Sequence, residues 1–454
     1  DPATGKKKIL VAAKILIPKD KKKPFKLSSY TFTKDLSKVL IFTNTKRVWR
    51  RDTRGDYWVL DRSSGKLQKL GGKAKESTLM FAKFSPANSN HVAYVREKNV
   101  YVEDLQTGKI RMLTKRSSDT VINGTFDWVY EEELSLRDGF RWSPDGKAIA
   151  YWQLDEEGVP EMHMLNNVSG YYPKLITFRY PKTGETNSIC RVGVVQLDDA
   201  KTTWMKVPGD PRNHYLARME WAENSDELLV QQLNRLQNQN KVMLVDAHSG
   251  KVKPVYTDED KAWIEVRFGF TQWIKKGKQF TYVSEREGWR QLYLVSRDGK
   301  TVLKVTDGKY DIIRTLKVDE AKNLLYFIAS PNNATERYLY RIGLDGKGLK
   351  RLSPQDQTGS HSYSISPDAK WALHTFSNIE SPPVTNLIEL PSHKVIRVME
   401  KNQALRGKLE KLKRPKLEFF RVKIGEGLEV DAFSVLPPHL DPKKKYPLLV
   451  YVYG

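Results

Sequence analysis

The chain has almost none of the residues that hold a fold together by covalent cross-links. A single cysteine, Cys190, stands among 454 residues, so no internal disulfide forms and the fold rests on packing alone. No apolar run reaches the roughly 18 residues that a membrane-spanning helix requires, which leaves no membrane segment in this stretch. A Gly-x-Ser-x-Gly turn, which would expose a serine nucleophile between a strand and a helix, is absent. None of the eight histidines stands in a catalytic setting, and no cofactor or metal site is expected. Acidic charge is also in deficit: 77 Lys and Arg against 54 Asp and Glu leave a formal net charge of +23. Such a balance invites a nucleic-acid partner. The basic residues are scattered, however, and the runs Lys6–Lys8, Lys21–Lys23 and Lys443–Lys445 read as solvated loops without a recognisable nucleic-acid module. No nucleic-acid partner is expected.

What is present is enough apolar material for a sizeable core, 39% hydrophobic and 11% aromatic, which argues against disorder. The apolar residues recur in a pattern every 35 to 50 residues or so: a strand, a turn, a second strand and, in several copies, a Gly-Lys turn. Residues 38–66 carry it first, with Gly65-Lys66 as the turn. Residues 84–109 repeat it, and residues 142–152 open a third copy. Further copies fall at 228–251, 280–295, 324–340 and 365–374. Strand-rich units of this spacing read as the blades of an all-β propeller, seven of them, with a pair of stacked sheets as the rival arrangement. Thr4-Gly5-Lys6 and Ile9-Leu10-Val11 read as the hairpin turn and a strand of a further, incomplete first blade whose inner strands lie before Asp1. The third copy carries an insertion. Its two Tyr-Pro steps, Tyr172-Pro173 and Tyr180-Pro181, favour an extended arm over a compact strand.

Against the basic balance of the chain stands the stretch Asp127-Trp128-Val129-Tyr130-Glu131-Glu132-Glu133. Three consecutive carboxylates repel one another, and they follow directly on three bulky residues that are normally buried. Taken alone, the stretch fits an acidic turn or helix start, a site for a primary ammonium with its three N–H donors, or a glutamate-bound metal. Neighbouring side chains point to opposite faces of a strand but diverge by about 100° on a helix. Two adjacent carboxylates therefore meet one ligand only from a short helix or turn, and a turn of that kind is expected here.

DWVYEEE, followed by Arg141-Trp142-Ser143-Pro144-Asp145-Gly146, closely resembles the dipeptidyl peptidase IV branch of the prolyl oligopeptidase family of serine peptidases. Val48-Trp49-Arg50 and Lys445-Tyr446-Pro447-Leu448-Leu449 carry the same resemblance, which spans nearly the whole chain. It implies an eight-bladed propeller, with the first blade incomplete here, joined to an α/β-hydrolase domain. It further implies that Glu132 and Glu133 grip the free N-terminus of a peptide substrate and that Arg50 bonds a substrate carbonyl. On its own residues Arg50 reads as a surface cation. Tyr453 falls at the family's oxyanion-hole tyrosine, whose phenol stabilises charge on a tetrahedral intermediate; otherwise it reads as a buried strand residue. Related peptidases use the inserted arm in dimer contacts and to frame the cleft, so a homodimer is expected of the full-length protein.

After about residue 400 the pattern changes. Ala404-Leu405, Leu409 and Leu412 recur at helical spacing until Arg414-Pro415 stops them, and two strands follow at 417–422 and 428–435. The expected organisation is a propeller over 1–400, a linker helix over 401–415 and the first strands of an α/β-hydrolase domain over 416–454. The expected role is the substrate-gating part of an exopeptidase that removes Xaa-Pro or Xaa-Ala dipeptides. The Ser-Asp-His set is expected outside these 454 residues, so that the chain alone is inactive. A tripeptide-releasing relative and a non-catalytic interaction platform are the rivals. The expected location is periplasmic or secreted, with a cytoplasmic one left open.

Overall fold

The computed structural model describes residues 1, 3–18, 22–267, 269 and 271–452. The chain divides into two compact units, residues 7–307 and residues 1–6 with 308–454. In the first, an eight-stranded antiparallel sheet over residues 29–112 holds two four-stranded meanders, joined where Arg54 and Gly55 pair with Met80 and Leu79. A five-stranded sheet over 121–204 follows, then four-stranded meanders over 214–259 and 273–304. The second unit holds meanders over 312–351 and 360–400 and a two-stranded hairpin over 416–436. Consecutive antiparallel meanders without crossovers are propeller blades, and their positions agree with the seven copies read from the sequence.

The strands read as continuous apolar runs because both of their faces are buried. Val92, Ala93, Tyr94 and Val95 are all inaccessible to solvent. Val92 and Tyr94 pack into one layer with Leu40, Tyr57 and Val59, while Ala93 and Val95 pack into the next with Phe140, Ile149 and Tyr151. The alternation of a strand thus survives as a choice between two apolar layers. The Asp-x-x-x-Gly-Lys turns share one geometry. In the first, Asp61 Oδ1 accepts from the N–H groups of Ser63 and Ser64, and Gly65 takes a positive φ of 71° while its N–H bonds back to the Asp61 carbonyl.

Three expectations need correction. Ile9-Leu10-Val11 forms no strand. The described residues of 1–28 hold only a 3-10 turn, Ala13–Leu16, whose Leu16 is buried against Val39, Ile41 and Leu60. The apolar triplet has no neighbouring strand to complete a ladder; Ile9 stays exposed and Val11 packs on the first meander. The Thr4-Gly5-Lys6 turn is present, closed by the Gly5 N–H on the Asp1 carbonyl. The helix after residue 400 spans only Gln403–Leu409, buries no residue, and leaves Leu412 beyond its end. An apolar spacing with nothing to pack against does not prolong a helix. Finally, the inserted arm is itself regular: Glu161–Asn166 and Lys174–Arg179 form a mostly exposed hairpin that pairs with no other strand.

Candidate substrate-binding site

The acidic stretch lies on a loop whose ends are pinned together. The Gly124 N–H bonds to the Trp152 carbonyl, and the Trp152 N–H bonds to the Gly139 carbonyl. Gly139 crosses Gly124 so closely that a Cβ on it would lie 2.5 Å from the Gly124 carbonyl carbon. Only glycine permits that approach. Between these ends runs a short helix, α1, over Trp128–Glu132. Asp127 caps it, Oδ1 accepting from the Tyr130 N–H at 2.9 Å and Oδ2 from the Ser188 hydroxyl at 2.7 Å. Tyr130 turns inward, stacks on Phe126 and accepts from the Leu216 N–H through its phenol oxygen. The aromatic residues of the motif are therefore the anchor, and a helical turn, not a strand, carries the carboxylates.

The three glutamates have different fates. Glu131 is buried and accepts from Arg137 Nε at 3.1 Å; burial pushes its carboxyl above the usual range, against the pull of the Arg137 guanidinium. Glu132 is half-buried and meets Arg50 in a two-pronged ion pair, Nε to Oε2 at 2.8 Å and Nη2 to Oε1 at 2.5 Å. Glu133 closes the helix, its N–H on the Val129 carbonyl at 2.9 Å, and is exposed. Arg50 arrives from 82 residues away in sequence. It is the second residue of a two-residue turn joining the long strands Lys38–Val48 and Arg51–Asp61, where Val48 faces Arg51. The first residue, Trp49, has φ of +51°, a left-handed conformation that usually selects glycine.

The structure thus brings Arg50 and Glu132 together with Glu133 one residue further on the same turn. Tyr453 lies outside the described residues. Asp127, Glu131 and Trp49 were not singled out individually by sequence reasoning. An Asp immediately before an aromatic run, one helical turn ahead of the glutamates, is the cap signal that marks the start of α1. No cluster of three or more His, Cys, Asp or Glu able to hold a metal occurs among the described residues. Chemically, the site offers carboxylate acceptors beside a planar fork of donors, a set suited to a group that carries N–H donors and carbonyl oxygens close together.

Consecutive antiparallel blades with a polar site between a hairpin tip and a short helix define a class, the β-propeller proteins. Residues 33–383 match the family described as the dipeptidyl peptidase IV (DPP IV) N-terminal region, and the chain belongs to it. The dipeptidyl peptidase 4 of Trichophyton rubrum is 28% identical over 462 aligned residues, covering 99% of this chain and 58% of the relative. A probable dipeptidyl peptidase 4 of Emericella nidulans is 27% identical over 94% of this chain and 57% of its own length. The crystal structure of Porphyromonas gingivalis dipeptidyl peptidase 4 superposes with a TM-score of 0.90 at 28% identity, over 98% of this chain and 62% of that one. The chain spans less than two thirds of the length of these relatives.

Proposed function

We propose that this chain is the substrate-gating part of a serine dipeptidyl aminopeptidase. In this reading Glu132 and Glu133 hold the ammonium of a peptide N-terminus, Arg50 holds the adjacent carbonyl, and the scissile bond then falls two residues in. The propeller occupies 1–400, residues 401–415 link it onward, and 416–454 open the α/β-hydrolase part, with Tyr453 in the oxyanion hole and the Ser-Asp-His set outside this chain. The observation that carries the reading is the pairing of Arg50 with Glu132 from distant elements. Close carboxylates repel unless a cation offsets them, and Arg50 supplies that cation while the site is empty. Turnover by the complete gene product tests it. Glu132→Gln and Glu133→Gln each lower kcat/KM for free-amine peptides by about tenfold or more, since a charge-assisted hydrogen bond contributes about 1.5–3 kcal/mol. N-acetylated peptides lose far less. Equal losses on both substrates refute the assignment. Release of tripeptides rather than dipeptides would move the protein to the related branch.

Homodimerisation through the arm belongs to the same reading. Leu165, Val168, Tyr171, Tyr172 and Leu175 are exposed on that one hairpin, a density of apolar surface that favours contact. Sedimentation of the complete gene product with residues 167–173 replaced by Gly-Ser gives a monomer if the arm makes the contact; an unchanged dimer removes it from that role.

A further inference from the structure

The turn bearing Arg50 and the helix bearing Glu132 are bridged by a third element, the base of the arm. The Trp49 ring meets Phe178 of the arm edge-on, centroids 4.9 Å apart. Phe178 meets Tyr180 at 6.1 Å, and Tyr180 packs on Trp128, the first residue of α1, at 4.1 Å. Four aromatic rings thus form an unbroken line from the residue before Arg50 to the helix that carries Glu132. The arm base is itself fastened, with the Tyr180 N–H on the Pro160 carbonyl and Arg179 Nη1 on the Val159 carbonyl, both at 2.9 Å. Trp49 needs such a partner: a bulky residue at φ +51° is strained, and strain of this kind persists only where the surroundings hold it.

We propose that Phe178 and Tyr180 are positioning residues, which hold the Arg50 turn and α1 in register so that the guanidinium and the carboxylates address one ligand. The effect of the two rings is to restrict the tip of the 38–61 hairpin alongside the Arg50–Glu132 ion pair. The inference rests on the proposed amine site for its functional consequence, but its structural content stands apart from it.

Two readouts on the complete gene product test the proposal. Phe178→Ala is expected to raise KM for a free-amine dipeptide substrate about tenfold with kcat changed less than twofold, because the site is loosened rather than the chemistry altered. Phe178→Tyr keeps a ring in place and restores KM to within about twofold. Hydrogen exchange is expected to accelerate at residues 49–51 and 128–133 in Phe178→Ala and to stay unchanged in the blades. The hairpin pairs with no blade strand, so this variant folds. Exchange at 49–51 equal to wild type overturns the proposal whatever the kinetics. An unchanged KM in Phe178→Ala overturns it too, if Glu132→Gln in the same assay weakens free-amine turnover. If Glu132→Gln leaves turnover unchanged, the amine reading is what fails, and the exchange result alone decides the bridge.

Discussion

Glu131→Gln separates the glutamate buried against Arg137 from the two proposed to face a ligand. The Glu131 side chain is 5% exposed and its partner Arg137 24%. Removing one member of a fully buried ion pair costs about 3–5 kcal/mol, because the other charge is left without compensation. Two features reduce that here. Arg137 keeps its contacts with the Ser135 and Glu131 carbonyls, and the buried carboxylate already pays a desolvation penalty, visible in its raised pKa. A loss of about 2 kcal/mol follows. It is measured by urea unfolding of the 454-residue chain, with Arg137→Met and the double variant closing a cycle whose coupling is about 1–2 kcal/mol. Glu132→Gln, whose Arg50 partner is 73% exposed, stays within about 0.5 kcal/mol of wild type. If Glu131→Gln is as stable as wild type, the division of roles proposed for the three glutamates is wrong.

Gly139→Ala forces a methyl against the Gly124 backbone and is expected to destabilise by about 1–3 kcal/mol, read in the same unfolding assay; an unchanged midpoint means the loop ends do not need to touch. Trp152→Phe keeps the ring in the core but deletes the Nε1–H bond to the Leu216 carbonyl at 2.9 Å, with an expected loss of about 1–3 kcal/mol. The 360–400 meander should weaken in acid. His361 and His374 are buried with Nδ1 of the first 2.9 Å from Nε2 of the second, and burial, with the charges of Arg351 and His393 adding to it, pushes His361 down to about 4 and His374, beside both other histidines, down to about 3. Both are neutral in the folded chain, whereas the unfolded chain takes up protons below pH about 6.5. Stability is therefore full above that value and falls as pH drops toward 4, by at most about 4 kcal/mol for the pair at pH 5. Unfolding midpoints of wild type and His374→Leu between pH 7.5 and 5 check this, and parallel pH slopes would refute it.

The amino-acid sequence by itself determined the blades. Runs such as Val92–Val95 must be buried on both faces, and strand pairs recur along the chain, some of them closed by an Asp-x-x-x-Gly-Lys turn, so the meanders are legible in the local pattern. It pointed to α1 as well, because two adjacent carboxylates that share one ligand must sit on a helix or turn and not on a strand. What lies far apart in the chain was decided only by the tertiary structure. Nothing in the local chemistry of Arg50, one arginine among several, says that it meets a glutamate 82 residues later; only the family resemblance pointed there. Nor does Glu-Glu-Glu say which of the three Arg137, six residues on, takes, because that depends on how the loop folds back on the five-residue helix. Ile9–Val11 failed as a strand for the same reason. A strand exists only where another supplies its hydrogen bonds, and apolar content alone does not supply one. The left-handed Trp49, held between a hairpin tip and an inserted arm, is likewise set by packing that no stretch of the sequence contains.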